Sequence, residues 1–420
     1  MRVYIAAVLL IVLLPLAACA TRAELPPPAP ETAATAPAAP PQPPPAPTTT
    51  AVVVARSNPA PTATAAPAGA PVAAAGRAAM AGRLPVAQAM VAPRPRPADA
   101  PPLTLDDVFP PRDLSALGLD ETRLRVLVAT GDVIPARSVD MRIRGRGNDF
   151  FYPLAKTADL LRAGDVTVVN LEAPLIRNCP PHDDGMQFCG QTGFAAALKK
   201  AGVDVATLEN NHIGNYGKAG IQETIKALEA QELAWADRDT PAIVAVRGLR
   251  FGFLAFTGIG ERFNRPAIAE QIAALRPQVD VLVVAMHWGR EYVDVPDRSP
   301  GIANDEPTDI AHFVIDAGAD LIIGNHPHRV QAAEVYHDRF ITYAHGNFIF
   351  DQMWSDETRT GVVGRYTFYD NALVGVEYTP VQLYEYAQPR VMEGKAAQAV
   401  LRRMEAASRE QAHVAAKEAR

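Results

Sequence analysis

The chain has 420 residues, of which 48% are hydrophobic and 20% are charged, and its formal net charge at pH 7 is −6. This length and apolar content suffice for one substantial hydrophobic core. The net negative charge and the lack of a run of basic residues in the sequence argue against nucleic acid binding.

The N-terminus has the pattern of an export signal. Residues 3–16 form an apolar run behind the positive charge of Arg2, too short to cross a bilayer comfortably. The run ends in a Leu-Ala-Ala-Cys sequence that resembles a bacterial lipobox, in which Cys19 is lipidated. We expect residues 1–19 to be a signal peptide with a lipobox, and the mature protein to be lipid-anchored to a membrane of the cell envelope (the outer membrane in a Gram-negative cell). An ordinary signal peptide with an incidental cysteine is the alternative.

Residues 20–103 are dominated by proline and alanine and lack apolar periodicity. Such a segment cannot bury enough surface to fold, so a disordered tether is expected there. A globular domain is predicted over residues 124–391. Residues 394–420 are rich in Ala, Glu, Lys and Arg and are predicted to form a charged surface helix or tail, with a thin apolar stripe that includes Val400 and Met404.

Within the domain, strand-like runs alternate with helical patterns, which predicts parallel strands joined by crossover helices. Strands are predicted over residues 126–129, 166–169, 203–208, 281–286 and 321–323, and helices over residues 156–163, 192–201, 218–229, 265–275 and 308–317. The runs at 251–256, 340–343, 372–379 and 382–388 have fewer helices between them and predict a second, partly antiparallel sheet. The expected fold is α/β, with two packed sheets flanked by helices.

Cys179 and Cys189 are the two cysteines that remain after Cys19. In an exported protein such a pair is expected to form a disulfide. A metal-binding thiol pair is the alternative, but nine intervening residues are not a zinc-ligand spacing.

Short polar motifs follow five of the predicted strands. They are Gly131-Asp132, Asn170-Leu171-Glu172, Asn210-Asn211-His212, His287-Trp288-Gly289 and His326-Pro327-His328. In open α/β sheets ligands gather at the carboxyl ends of strands, so distant residues can converge there. His326 and His328 are two residues apart, and in an extended segment they would point to the same side. The pattern predicts a metal or phosphate site on a parallel sheet.

Nitrogen and oxygen donors are abundant in these motifs. They are the side chains of Asp132, Glu172, Asn211, His287, His326 and His328. A lone histidine at a strand end is more often structural, but three histidine motifs with two carboxylates favour a metal site. The donors suit Mn, Fe or Zn better than Ca, which prefers oxygen alone. We expect one or two divalent transition metal ions.

The order and the residues of these motifs resemble those of the CapA family of poly-gamma-glutamate capsule biosynthesis proteins, which belongs to the calcineurin-like metallophosphoesterase superfamily. The resemblance spans nearly the whole domain and includes Tyr216-Gly217, Arg290-Glu291-Tyr292 and the run that ends at Asp351. It implies a metallophosphatase-like αββα sandwich of two mixed sheets. It also implies an anionic polymer such as poly-gamma-glutamate, or a phosphoester, as a partner, together with the capsule synthesis machinery.

The resemblance implies roles for the site residues as well. Asp132 and His328 would bind one metal, and Asn211, His287 and His326 would bind a second. Glu172 stands where the superfamily has its bridging aspartate. His212 matches the histidine that contacts phosphate or protonates a leaving group.

The first motif departs from the superfamily pattern. Where many metallophosphatases have Asp-x-His, this sequence has Ile134 two residues after Asp132. The first metal site is therefore short of a ligand, and we expect it to be weak, vacant or completed by water.

Three further positions near the motifs are open to two interpretations. The guanidinium of Arg137 could hold a phosphate or carboxylate, or pair with a nearby acid such as Asp140. Glu291 could orient ligands or line the pocket, with support of the ligands favoured. Asn347 resembles the family pattern but is interpreted as shaping a tight turn.

Three functions are compatible with these features. The first is a cell-surface, metal-dependent hydrolase that acts on a phosphoester or on an amide or acyl linkage of an extracellular polymer. The second is a component that holds poly-gamma-glutamate or a related polyanion during export or anchoring. The third is a structural lipoprotein with a vestigial site. Asn211 and His212 favour a working site, whereas Ile134 argues against a full two-metal phosphatase.

Overall fold

The computed structural model describes residues 52–55 and 94–418, with side chains described over 94–413. The predicted signal peptide and lipobox, with Cys19, lie outside these residues, as does most of the predicted tether. Among the described helices, none combines the length and the apolar character needed to span a membrane.

Strands and helices alternate through most of the described chain. The strands are β1 (Val52–Ala55), β2 (Leu124–Val133), β3 (Val166–Leu171), β4 (Val205–Thr207), β5 (Ala234–Ala236), β6 (Ala242–Val246), β7 (Leu249–Thr257), β8 (Val281–His287), β9 (Leu321–Asn325), β10 (Ala333–Tyr336), β11 (Arg339–Thr342), β12 (Asn347–Ile349), β13 (Thr360–Tyr369), β14 (Ala372–Tyr384) and β15 (Gln388–Val391). The α-helices are α1 (Ser138–Arg144), α2 (Ala158–Arg162), α3 (Phe194–Ala201), α4 (Gly217–Glu229), α5 (Arg265–Leu275), α6 (Pro307–Asp316) and α7 (Gly394–Glu418).

The strands form two mixed sheets. The first sheet has the order β15-β14-β13-β2-β3-β4-β5, with β12 paired to β2, and the second has the order β1-β6-β7-β8-β9-β11-β10. In the first sheet β2 to β5 run parallel, whereas β13 runs antiparallel to both β2 and β14. In the second sheet β7, β8, β9 and β11 run parallel, flanked by the antiparallel strands β6 and β10.

Apolar side chains on alternate faces of the strands hold four layers together. Leu127 of β2 and Phe253 of β7 belong to the core between the two sheets. Their neighbours Val128 and Leu254 point to the opposite faces, where they pack against α3 and α5 respectively. This follows from the two-residue period of a strand, which sends successive side chains to opposite faces. The layers are helix, sheet, sheet, helix, and the predicted αββα sandwich is confirmed.

The five predicted helices are present, with ends within two residues of those expected. The division of strands between the sheets was predicted wrongly. β8 and β9 were expected beside β2, but they pair with β7 in the second sheet, and β14 pairs through β13 with β2 in the first. Local periodicity shows that a strand is buried, but its sheet is decided by which distant strand accepts its hydrogen bonds.

The strand predicted over residues 382–388 is also wrong. β14 continues to Tyr384, and the chain then turns through Glu385 and Tyr386, whose φ angles are 53° and 64°. β15 begins only at Gln388 and returns antiparallel to β14. The mixture of polar and aromatic residues in this stretch gave no turn signal such as Asn-Gly or Pro.

Two described parts of the predicted tether contact the folded domain. β1 pairs in parallel with β6 at the edge of the second sheet. Farther along, the Arg94 side chain lies 3.4 Å from Asp280, and Leu103 is buried in the core between the sheets. The three valines of β1 are β-branched and favour a strand, which is a local exception within a Pro- and Ala-rich segment. At these places the chain departs from the predicted tether.

The C-terminal helix is found as predicted. In α7, Val400 and Met404 of the apolar stripe are buried against the core between the sheets, and Leu401 packs beside them. The stripe therefore docks the helix, although most of its other side chains are polar or charged.

Candidate metal centre

The polar motifs converge where the carboxyl ends of strands from both sheets meet. Asp132 and Glu172 stand at the ends of β2 and β3 in the first sheet. His287 ends β8 in the second sheet, and His326 follows β9. The sequence placed these residues on a single parallel sheet, and this is wrong in detail, because the site lies between the ends of two sheets.

One group of donors consists of Glu172, His287 and His326. All three are buried, and their nearest donor atoms lie within 4.8 Å of one another. Nε2 of His287 is 3.4 Å from Oε1 of Glu172 and 2.7 Å from Oδ1 of Asn211. The structure therefore brings together the residues that the resemblance assigned to the second metal.

A second group consists of Asp132, Glu172 and His328, also buried and within 4.8 Å. Oδ2 of Asp132 is 3.0 Å from Nδ1 of His328. Glu172 belongs to both groups, as a bridging carboxylate must. Glu291 is more exposed, and its Oε1 lies 3.9 Å from Nε2 of His326, so it faces the centre from the rim.

Several buried donor atoms in the centre have no hydrogen-bond partner among the described residues. They include both ring nitrogens of His326 and Oε1 of Glu172. Leaving such a group unpaired costs roughly 1–3 kcal/mol. A divalent cation would satisfy Oε1 of Glu172 and one ring nitrogen of His326, and imidazole, carboxylate and amide donors are acceptable to divalent transition metals. The residues fit a metal site.

The electrostatics of the centre also suit a cation. Burial lowers the pKa of His287 to about 3 and that of His326 well below its usual range, so both rings are neutral and able to bind a metal at neutral pH. Burial, and then the nearby Asp132 carboxylate, raise the pKa of Glu172. Burial opposes ionisation of Asp132 too, but the hydrogen bond to His328 and the neighbouring imidazoles outweigh it and lower its pKa. A cation beside the two carboxylates would favour the ionised form of both.

The backbone at the two histidines is not extended. The φ angles of His326 and His328 are 97° and 55°, in the left-handed region, and the chain bends after β9. The expectation that they share a side because they are two apart in an extended segment is therefore wrong. Their rings nevertheless lie 5.8 Å apart. Such conformations cost about 1–3 kcal/mol each and persist where the surroundings hold them, often at functional sites.

Close backbone contacts require glycine next to the centre. A Cβ on Gly131 would lie 1.9 Å from the carbonyl oxygen of Gly346, and one on Gly324 would lie 1.9 Å from that of Tyr343. Gly131 immediately precedes Asp132. The glycine in this motif thus lets β2 and the chain before β12 approach closely enough to shape the site.

Two asparagines that the sequence did not single out support the carboxylates. Nδ2 of Asn170 donates to Oδ1 of Asp132 at 2.8 Å and to Oε2 of Glu172 at 3.3 Å. Asn210 donates in turn to Oδ1 of Asn170, and its own Oδ1 accepts from the backbone N–H of His212. Such outer partners orient metal ligands. The sequence signal that could have identified them is that each asparagine is the first residue of one of the polar motifs.

His212 lies beside the centre and belongs to neither donor group. Its ring packs on Phe188 with a centroid distance of 4.1 Å, and its Nδ1 lies 3.1 Å from Oδ1 of Asn215. Burial lowers the pKa of His212 to about 4. The ring is therefore held in one orientation, in keeping with a role that is not metal ligation.

Arg137 pairs with Asp351 rather than with Asp140. Asp140 instead pairs with Arg144 on α1. The Arg137 guanidinium also donates to the Gly185 carbonyl at 3.0 Å. The sequence interpretation that Arg137 pairs with an acid is therefore confirmed, although Asp140 was the wrong partner, and anion binding by Arg137 stays a prediction.

Ile134 offers no donor to the centre. Its side chain is fully buried in a small apolar cluster with Ala136, Ala173, Phe188 and Phe350. Asn347, in contrast, does not shape a tight turn as interpreted from the sequence, because it begins β12 and is fully buried.

The predicted disulfide between Cys179 and Cys189 is present. Since both sulfurs are used, the alternative of a metal-binding thiol pair is wrong. The bridge closes the loop after β3 and lies next to Phe188, the residue on which His212 packs. The disulfide therefore helps to shape one wall of the centre.

Removal of this bridge is expected to destabilise the domain. Replacing Cys179 and Cys189 by serine should lower the free energy of unfolding by roughly 3 kcal/mol, because the unfolded chain regains the freedom of a short closed loop. Urea denaturation measures the loss, and His182→Ala inside the same loop is the control, with little expected change. Recovery of both cysteines as free thiols from the native protein would contradict the bridge.

Comparisons with known proteins agree with the motifs. The family model described as "Bacterial capsule synthesis protein PGA_cap" matches residues 126–352, which include both donor groups and His212. The capsule biosynthesis protein CapA of Bacillus anthracis is 30% identical over 296 residues, covering 63% of this chain and 69% of that protein. The PGA biosynthesis protein CapA of Bacillus subtilis is 28% identical over 278 residues, covering 61% and 70%. A solved structure of a hypothetical protein from Thermus thermophilus covers 62% of this chain and 100% of its own, with a TM-score of 0.41 and 14% identity.

Proposed function

The chain belongs to the bacterial capsule synthesis protein family PGA_cap, and we propose that it acts on poly-gamma-glutamate or a related anionic capsule polymer during synthesis or export. The two Bacillus relatives are named for capsule and PGA biosynthesis. We further propose that its centre binds one or two divalent ions of Mn, Fe or Zn and hydrolyses a bond in the polymer or in a phosphoester.

The observation that carries this proposal is the set of buried donor atoms without partners. Neither ring nitrogen of His326 and only one of the two carboxylate oxygens of Glu172 has a hydrogen bond from the described residues, and both residues belong to the same donor group. A purely structural site would be expected to pair such atoms, because each unpaired one is destabilising.

Each residue of the centre has a proposed task. A bound divalent metal would activate a water molecule and polarise the bond to be broken. Asn211, His287 and His326 would hold one ion, Asp132 and His328 would hold the other, and Glu172 would contact both. His212 would protonate the leaving group once the negative charge of a bound substrate had raised its low pKa, with Phe188 and Asn215 holding its ring.

The experiment that tests the proposal is metal analysis of the purified full-length chain, combined with activity screens on generic phosphoesters and on polyglutamate. We expect at least one transition metal per chain and turnover of one substrate class. A protein that takes up no metal and turns over neither substrate would overturn the hydrolase.

A second function is favoured by one observation. Position 134 is apolar and sealed in a hydrophobic cluster, so the first donor group lacks the histidine of an active phosphatase. A centre with a single metal could hold an anionic polymer without cleaving it. Metal binding and polymer binding without turnover would identify this function.

Lipid anchoring is proposed as well, on the lipobox-like sequence that ends at Cys19. Changing Cys19 to alanine in the full-length chain should release the protein from membranes while the domain stays folded. Membrane fractionation and the mass of the mature first residue measure this, with Thr21→Ser as the control. Unchanged fractionation, with no added mass on the first residue, would contradict anchoring.

A further inference from the structure

The geometry points to Asn347 as a metal ligand that replaces the histidine missing at position 134. The inference rests on the proposal above in one respect, namely that the centre binds metal. It assigns a donor that the sequence motifs left without a chemical role.

Tertiary structure brings Asn347 to the first donor group. Asn347 begins β12, which pairs in parallel with the end of β2, and the residue opposite it in the register is Asp132. Its side chain is fully buried. An amide side chain is therefore held directly beside the carboxylate of the first motif.

The amide of Asn347 has a defined orientation. Its Nδ2 donates to Oε1 of Gln352 at 3.1 Å and to the backbone carbonyl of Thr358 at 2.8 Å. Both partners are acceptors, so the nitrogen must face them and both of its hydrogens are used. The oxygen Oδ1 is thereby aimed at the centre.

The distances from this oxygen match those between ligands of one ion. Oδ1 of Asn347 is 3.0 Å from Nδ1 of His328, which is itself 3.0 Å from Oδ2 of Asp132. With metal–ligand bonds of about 2.0–2.2 Å, neighbouring ligands of a six-coordinate ion lie about 3 Å apart. The same atoms could instead share a hydrogen on Nδ1 of His328, which is the competing arrangement that the test must separate.

With Asn347 the first group has four donors. They are Asp132, Glu172, His328 and Asn347. Three oxygens and one nitrogen make this site harder than the second, which has two imidazoles. The first site should therefore prefer Zn²⁺ over Mn²⁺ less strongly than the second site does.

The test is a Mn²⁺ titration of the metal-free, full-length chain. Bound Mn per chain is measured by elemental analysis, and spin coupling between the two ions is measured by electron paramagnetic resonance. Wild type should bind two coupled ions. Asn347→Ala should keep one uncoupled ion and weaken the first site by more than the about 10- to 100-fold typical of outer partners.

Two matched variants separate ligation from orientation. Gln352→Leu removes one partner of the amide but leaves its oxygen, so it should keep two ions with at most modest weakening. Asn347→Asp keeps an oxygen donor but turns a second oxygen toward the acceptors of Gln352 and Thr358, so it should still bind two ions, with the first bound more weakly than in wild type. If Asn347→Ala does not fold, as judged by circular dichroism, Asn347→Asp decides the question.

Several outcomes overturn the inference. One is an Asn347→Ala protein that binds two ions with unchanged affinity. Another is a Gln352→Leu protein that loses the first ion as completely as Asn347→Ala is expected to lose it. Complete loss of the first ion from a folded Asn347→Asp protein does so too. Wild type with a single ion overturns the role of Asn347 but leaves a one-metal hydrolase, whereas wild type with no ion overturns both.

Discussion

Changing His287 and His326 to alanine together is expected to abolish metal binding at the second donor group while the domain stays folded. The two rings supply all the nitrogen donors of the second group, and Glu172 with Asn211 cannot hold an ion there alone. The metal-free fold should tolerate the change, because both nitrogens of His326 already lack partners, and Oδ1 of Asn211, which loses its contact with His287, belongs to a half-buried residue that water can reach. Elemental analysis and circular dichroism measure the two outcomes.

The matched control is a second double histidine variant outside the centre. His312 stacks on Tyr336 and pairs with Glu334, and the exposed His337 pairs with Asp316. Neither belongs to a donor group, so His312→Ala with His337→Ala should leave metal content unchanged. If metal content were unaffected by the loss of His287 and His326, the third hypothesis, a structural lipoprotein with a vestigial site, would be favoured instead.

Changing His212 to alanine is expected to reduce turnover by about 10²- to 10⁴-fold, the usual contribution of a general acid. Metal content should stay the same, because His212 lies outside both donor groups. Turnover and bound metal are measured on the same preparation. His182→Ala is the control, since that histidine sits in the disulfide loop with its Nδ1 2.9 Å from the Pro180 carbonyl.

The same variant separates the two proposed functions. If the protein only holds a polyanion, His212→Ala should weaken polymer binding modestly, and no form of the protein should turn over substrate. Full activity with full metal content would remove His212 from the mechanism and leave the hydrolase without its acid.

Features encoded over a few neighbouring residues could be predicted from the sequence. The helix expected over residues 265–275 is α5 without a change of bounds, because its apolar positions recur at helical spacing and Asn264 caps its start. The ligands His287 and His326 were found because each follows a buried strand. The disulfide was predicted from the expected export of the chain and from the two cysteines left to pair.

Other features depend on contacts between distant segments, and only the tertiary structure decided them. The sheet to which β8 belongs, the pairing of Arg137 with Asp351, and the place of Asn347 beside Asp132 all involve residues far apart in the chain. A strand carries the same alternating pattern whichever neighbour it joins, and an amide shows its role only when its partners are known. The sequence by itself therefore determined the helices, many of the strands, the family and most donors, whereas the packing of two sheets decided how those donors meet.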